Sequence, residues 1–128
     1  MSDKWYYDWN GKSILIVEDD HLCFSYLDAL LKPTKATVYH ASSGEAALEL
    51  CRNLTFVNIV LMDIRLPGIT GFETTQHLKK IHRDLPVIAQ TAYAHECDRE
   101  TALAAGCCDF IAKPIRANEI FDMIRKYI

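Results

Sequence analysis

The chain has 128 residues, half of them hydrophobic and 24% charged, which suits one soluble globular domain and leaves no room for a second. Fourteen basic against seventeen acidic side chains give a net charge of −3, arguing against a surface that grips nucleic acid by counterion release. No apolar run approaches the ~18 residues of a membrane helix, and no basic-then-apolar secretion signal opens the sequence, so a cytoplasmic protein is expected.

An aromatic leader comes first, Trp5-Tyr6-Tyr7-Asp8-Trp9-Asn10-Gly11. It holds both tryptophans and too many aromatics for a flexible linker, so partial order is expected over residues 1–11. From residue 12 onward, short apolar runs alternate with helical patterns. Ile14–Val17 predicts a first strand, His21–Lys32 a helix stopped by Pro33, and Thr37–Ala41 a second strand. Ser42 and Glu45 have capping-box spacing at the head of a second helix running through Leu50. A third strand, Asn58–Met62, precedes a helix that follows Gly71, with Phe72, Leu78 and Ile81 facing inward. Val87–Gln90 is the fourth strand, and a helix from about His95 to Ala105 closes at Gly106, a glycine suited to a C-cap. Phe110–Ala112 is the fifth strand, and Ala117–Tyr127 is a last helix with Ile120, Phe121, Ile124 and Ile128 at helical spacing.

Three of the strands are nearly continuous in apolar side chains, as parallel strands covered on both faces are. Right-handed crossovers then place helices on both sides, predicting a doubly wound three-layer α/β sandwich. The five cysteines, at 23, 51, 97, 107 and 108, are odd in number and form no C-x-x-C pair, so reduced thiols, mostly in the core, are expected. The five histidines show no ligand spacing and are expected on the surface.

In such a sheet, ligands bind beyond the carboxyl ends of the strands. The residues there are Glu18, Asp19 and Asp20 after the first strand, Asp63 after the third, Thr91 after the fourth, and Lys113-Pro114 after the fifth. Clustered carboxylates raise one another's pKa unless a cation neutralises them. Mg²⁺, which prefers hard oxygen ligands and phosphate, is the natural partner. With Lys113 and Thr91 to meet further phosphate oxygens, the set reads as a phosphoryl-transfer site.

The stretches Ile14-Leu15-Ile16-Val17-Glu18-Asp19-Asp20, Val60-Leu61-Met62-Asp63-Ile64-Arg65-Leu66-Pro67-Gly68, Pro86-Val87-Ile88-Ala89-Gln90-Thr91-Ala92 and Phe110-Ile111-Ala112-Lys113-Pro114 together resemble the receiver domain of two-component response regulators, over residues 12–128. The resemblance implies a flavodoxin-like sheet in the order 2-1-3-4-5. It implies that Asp63 is the phosphoacceptor and that Glu18, Asp19, Asp63 and the Arg65 main-chain carbonyl hold Mg²⁺. Lys113 would pair with the phosphoryl group, and the Lys113–Pro114 peptide would be cis. Thr91 and Phe110 would form the switch, and Arg65 and Tyr93 would tune the phosphoryl lifetime. Leu22 and Tyr26, at i and i+4 on the first helix, fall where receivers meet the phosphodonor. The implied partner is a sensor histidine kinase or a histidine phosphotransfer domain.

Three positions depart from the usual pattern: Glu18 where Asp is commoner, Thr70 before Gly71 where Asp or Asn is usual, and Phe110 in place of Tyr. None removes a necessary group. A haloacid dehalogenase-type phosphatase would need an acid two residues after the nucleophile, where Arg65 stands. A flavodoxin-like FMN carrier would be repelled by Glu18-Asp19-Asp20, and a degenerate scaffold would lack the full acid, Thr and Lys set. The expectation is a non-enzymatic signalling domain, monomeric or weakly dimeric, without an output domain of its own. It would be either a stand-alone regulator or the receiver of a hybrid sensor kinase.

Overall fold

The computed structural model describes residues 7–53, 57–92 and 96–128, with the backbone alone for Glu96 and Cys97. Five strands, β1 (Ser13–Val17), β2 (Thr37–Ala41), β3 (Ile59–Asp63), β4 (Val87–Thr91) and β5 (Asp109–Ala112), alternate with five helices. The helices are α1 (His21–Leu31), α2 (Gly44–Asn53), α3 (Gly71–Ile81), α4 (Glu96–Ala105) and α5 (Ala117–Arg125). The strands are all parallel and lie in the order β2-β1-β3-β4-β5. This is the flavodoxin-like receiver architecture expected from the sequence.

Every residue of β1, β3 and β4 is buried, which is why these strands read as unbroken apolar runs. Successive side chains still go to opposite faces. Leu15, Val17, Val60, Met62, Val87 and Ala89 form one core with Ala47, Leu48 and Cys51 of α2 and Leu78 of α3. Ile14, Ile16, Ile59, Leu61 and Ile88 form the other with Leu27 and Leu31 of α1 and Ile120, Phe121 and Ile124 of α5. The register is set by pairs such as Leu15 with Val60 and Val60 with Val87. A one-residue slip would exchange the two cores' side chains.

The described part of the leader belongs to the second core. Trp9 is buried, its N–H donates to the Thr34 carbonyl, and its ring packs edge-on against Phe121. Tyr7 stacks on Trp9 and donates its hydroxyl hydrogen to Asp122 on α5. The first six residues, including Trp5 and Tyr6, lie outside the described residues.

The helix ends broadly follow the sequence expectation except at the head of α2. α2 is capped by Ser43, whose Oγ accepts from the Ala46 N–H, so the Ser42–Glu45 spacing makes no capping box; Glu45 instead reaches the Ile69 N–H. The capping box lies at α3, where Thr70 Oγ1 accepts from the Glu73 N–H and the Glu73 carboxylate accepts from the Thr70 N–H. α1 ends at Leu31 and tightens into a 3-10 turn, Lys32–Thr34, that accommodates Pro33. Gly106, at φ +114°, closes α4, with Cys107 N–H on the Ala102 carbonyl and Gly106 N–H on the Leu103 carbonyl. Gly71 is required by a close approach, since a Cβ there would collide with the Asp63 carbonyl and the Ile64 Cα. The start of α3 is thereby pressed against the end of β3, where the acids collect.

Two histidines expected on the surface have structural partners. His40 Nε2 lies 2.8 Å from the Glu18 carbonyl, with its ring stacked on Phe24, and His82 Nε2 lies 3.0 Å from the Cys51 carbonyl. His95 lies outside the described residues. The described cysteines, 23, 51, 107 and 108, are free thiols, buried or half-buried. No helix among the described residues is long and apolar enough to cross a membrane.

Candidate functional site

The parallel strands end on one edge, and their last residues and the loops beyond bring the acids together. Asp63 is the last residue of β3, paired in register with Gln90, and Thr91 is the last residue of β4, paired with Ala112. Both therefore belong to the sheet itself and are buried. Glu18 follows β1 and is buried, its N–H donating to the Ala41 carbonyl; Asp19 beside it is exposed. Carboxylate oxygens of Glu18, Asp19 and Asp63 lie within 4.8 Å of one another.

Asp20 does not join them. Its carboxylate is the N-cap of α1, accepting from the N–H groups of Leu22 and Cys23, so the run of three acids divides into two members of the carboxylate cluster and one helix cap.

Lys113 reaches in from beyond β5. Its Nζ lies 2.8 Å from Glu18 Oε1 and 3.7 Å from Asp63 Oδ2. Its backbone N–H donates to the Thr91 carbonyl at 2.7 Å, and the Lys113–Pro114 peptide is cis. The Arg65 N–H donates to Asp63 Oδ1 at 3.0 Å, fixing the loop after β3 to that carboxylate. Phe110, half-buried on β5, pairs with Ala89 and packs against the first core. Tyr93 lies outside the described residues.

Electrostatically the site is short of positive charge. Burial pushes the Glu18 carboxyl up to about 7, with Asp63 adding to the rise and Lys113 opposing it. Burial works against the Lys113 ammonium, but the hydrogen bond to Glu18 and the charges of Asp63 and Glu18 outweigh it and hold the amine above the ordinary lysine range. One ammonium thus serves two buried carboxylates. A set of three carboxylates, two of them buried and facing each other, fits a hard divalent cation.

A family model for the response regulator receiver domain matches residues 14–125. The chain belongs to this family. The receiver is 36% identical over 119 residues to the polar-differentiation response regulator DivK of Brucella ovis, covering 91% of this chain and 96% of that one. It superimposes with a TM-score of 0.86 on a putative response regulator from Chloroflexus aurantiacus J-10-fl, at 26% identity, covering 91% and 96% of the two chains. A third relative is the receiver domain of the sensor histidine kinase PA1611 from Pseudomonas aeruginosa PAO1, at 30% identity, TM-score 0.83, and 91% and 96% coverage. That structure holds a magnesium ion in its active site cleft.

Three features of the receiver site escaped the sequence. His40 holds the Glu18 carbonyl from the neighbouring strand, across 22 residues of chain. The Arg65 guanidinium lies 2.8 Å from Asp98 on α4, across 33 residues. Cys23 Sγ lies 3.9 Å from Lys113 Nζ, and burial holds this thiol above its usual range, as expected of an inert cysteine. No local pattern announces such partners.

Leu22 and Tyr26, placed at the phosphodonor surface by the resemblance, are exposed at 82% and 49%. They border an apolar groove of about 590 Å³ completed by Pro114 and Ile115, with Lys113 at its rim. Tyr26 donates its hydroxyl hydrogen to the Ile115 carbonyl, tying α1 to the loop after β5.

Proposed function

We propose that this receiver accepts a phosphoryl group on Asp63 from a phosphohistidine of a sensor kinase or histidine phosphotransfer domain. An Asp63 oxygen forms the new P–O bond while the P–N bond to the donor imidazole breaks and the imidazole leaves. Loss of the group is the reverse in kind, with water attacking phosphorus and the Asp63 carboxylate and inorganic phosphate as products. The observation that carries this reading is Lys113 Nζ held between Glu18 and Asp63 at the end of β3.

Glu18, Asp19, Asp63 and the Arg65 main-chain carbonyl would hold Mg²⁺, which when bound neutralises charge on the phosphoryl oxygens. Lys113 meets a second oxygen, and Thr91, buried at the end of β4, meets a third. Movement of Thr91 opens space that Phe110 enters, and the face of α4 and β5 changes with it. Arg65 and Tyr93 flank the acceptor and tune access of water. Leu22, Tyr26 and the groove beside them dock the donor, with its histidine directed toward Asp63. The receiver unit is residues 12–128, with 1–11 a leader anchored through Trp9. It works in the cytoplasm as a monomer or weak dimer, as a signalling domain rather than an enzyme. A second reading, the receiver of a hybrid sensor kinase, is favoured by the likeness to the PA1611 receiver.

Beryllofluoride with Mg²⁺, or a small phosphodonor, tests the proposal. Wild type should show a Mg²⁺-dependent NMR change and acquire one acid-stable, base-labile phosphoryl group, and Asp63→Asn should do neither while remaining folded. Labelling that survives Asp63→Asn would place the acceptor elsewhere.

A further inference from the structure

Arg65 is bound at both ends. Its backbone N–H lies 3.0 Å from Asp63 Oδ1, while its guanidinium turns away, with Nη2 2.8 Å from Asp98 Oδ2 near the start of α4. The partners are unequally held: the Arg65 side chain is 52% exposed and that of Asp98 12%. The carboxylate is largely covered, and the guanidinium is the more exposed partner.

We propose that Arg65 is a two-position arm, parked on Asp98 while Asp63 is unmodified and moving onto the phosphoryl oxygens once Asp63 carries them, which releases the first turn of α4. The inference rests on the reading of Asp63 as phosphoacceptor. Three physical points carry it. The first is reach, since Arg65 starts within hydrogen-bond distance of the Asp63 carboxylate, well inside the span of an arginine side chain. The second is charge. A phosphoryl group brings about −1.5 to −2 where the carboxylate had −1, and the one ammonium beside it, Lys113, is shared between that group and Glu18. The planar guanidinium fork is the better match for phosphate oxygens and competes strongly for them. The third is the cost to Asp98. A covered carboxylate abandoned by its cation is normally penalised, but this one lies in the first turn of a helix, where the backbone N–H groups and dipole favour a negative charge.

Asp98 is on this view a positioning residue that sets where Arg65 rests, and it couples α4 to the state of Asp63. By linkage, any partner that grips α4 with the pair open prefers the phosphorylated chain by the same factor that it strengthens phosphoryl-analogue binding.

The test titrates beryllofluoride, with Mg²⁺, into the full chain as wild type, Arg65→Gln, Asp98→Asn and the double variant. Removing the competing carboxylate should tighten beryllofluoride binding about fivefold or more. Arg65→Gln should weaken it, the double variant should be as weak as Arg65→Gln, and Asp98→Glu should restore wild-type behaviour. Tightening by Asp98→Asn that persists in the Arg65→Gln background overturns the arm. If Asp98→Asn fails to fold, the wild-type Arg65 side-chain ¹⁵N resonance, assigned through Arg65→Lys, decides instead. A shift on adding beryllofluoride supports the arm, and an unmoved resonance in a protein whose Asp63 region has responded overturns it. A wild type that neither binds beryllofluoride nor is labelled by a small phosphodonor overturns the phosphoacceptor reading itself, and the arm with it.

Discussion

Met62 and Asp63 are adjacent on β3 and both are buried, yet they occupy opposite kinds of environment. Met62 sits in the first core among Leu15, Val17 and Ala89, where apolar burial stabilises the fold. Asp63 faces Glu18 across a gap that one ammonium must serve. Interior and edge are therefore separable: the interior is built to stabilise, and the edge keeps buried charge that a purely structural design would replace. Fold and function should then fail independently.

The largest effect on folding should come from the interior. Leu61→Ala, at a nearly inaccessible position in the second core, should cost about 2–5 kcal/mol in urea denaturation. Mg²⁺ should still bind to whatever fraction remains folded. If the loss of stability were matched by a loss of site chemistry in the folded fraction, interior and edge would be one unit.

The edge should respond to pH where the interior does not. Glu18 has a folded pKa of about 7 against an ordinary 4.5. Its contribution to folding is fully present below 4.5 and is lost as pH rises through about 7. A divalent cation must displace that proton, so its affinity should fall toward tenfold per pH unit below about 7, and Glu18→Gln should flatten both dependences. Calorimetric titration of Mg²⁺ between pH 5.5 and 8.5 would measure the first and urea melts the second. Equal slopes in wild type and variant would remove Glu18 from the proposed metal site.

Gln90 lies at the boundary between the two regions. It is 1% exposed, and neither atom of its amide has a hydrogen-bond partner among the described residues. Gln90→Leu should stabilise the chain by about 1–3 kcal/mol, the cost of leaving a polar group unsatisfied. A loss of stability on that change would mean that this position belongs with the charged edge. The smallest effect concerns the helix cap: Ser43→Ala should cost about 1 kcal/mol and Ser42→Ala almost nothing.

How much of this was legible in the sequence follows the same division. Parallel strands buried on both faces cannot alternate, so β1, β3 and β4 stood out as apolar runs, and the residues at their ends marked the acid-bearing edge. Glu18, Asp63, Thr91 and Lys113 were readable because the carboxyl edge collects strand ends regardless of side-chain detail. His21 and His77 are exposed as expected, whereas His40 and His82 are half-buried on backbone carbonyls that only the packed chain brings near. The cap of α2 moved from Ser42 to Ser43 because both serines offer the same oxygen, and the choice depends on where the backbone leaves β2.

Sequence alone settled the strand-helix alternation, the parallel sheet and the set of residues at its edge, because burial and chain direction impose patterns a few residues long. Tertiary structure decided what those residues do to one another. It assigned Asp20 to a cap, pressed Gly71 against Asp63, placed Trp9 on Phe121 and laid Arg65 on Asp98. Contacts of that kind join residues distant in the chain, and their energies depend on distance and burial, which no local spacing encodes.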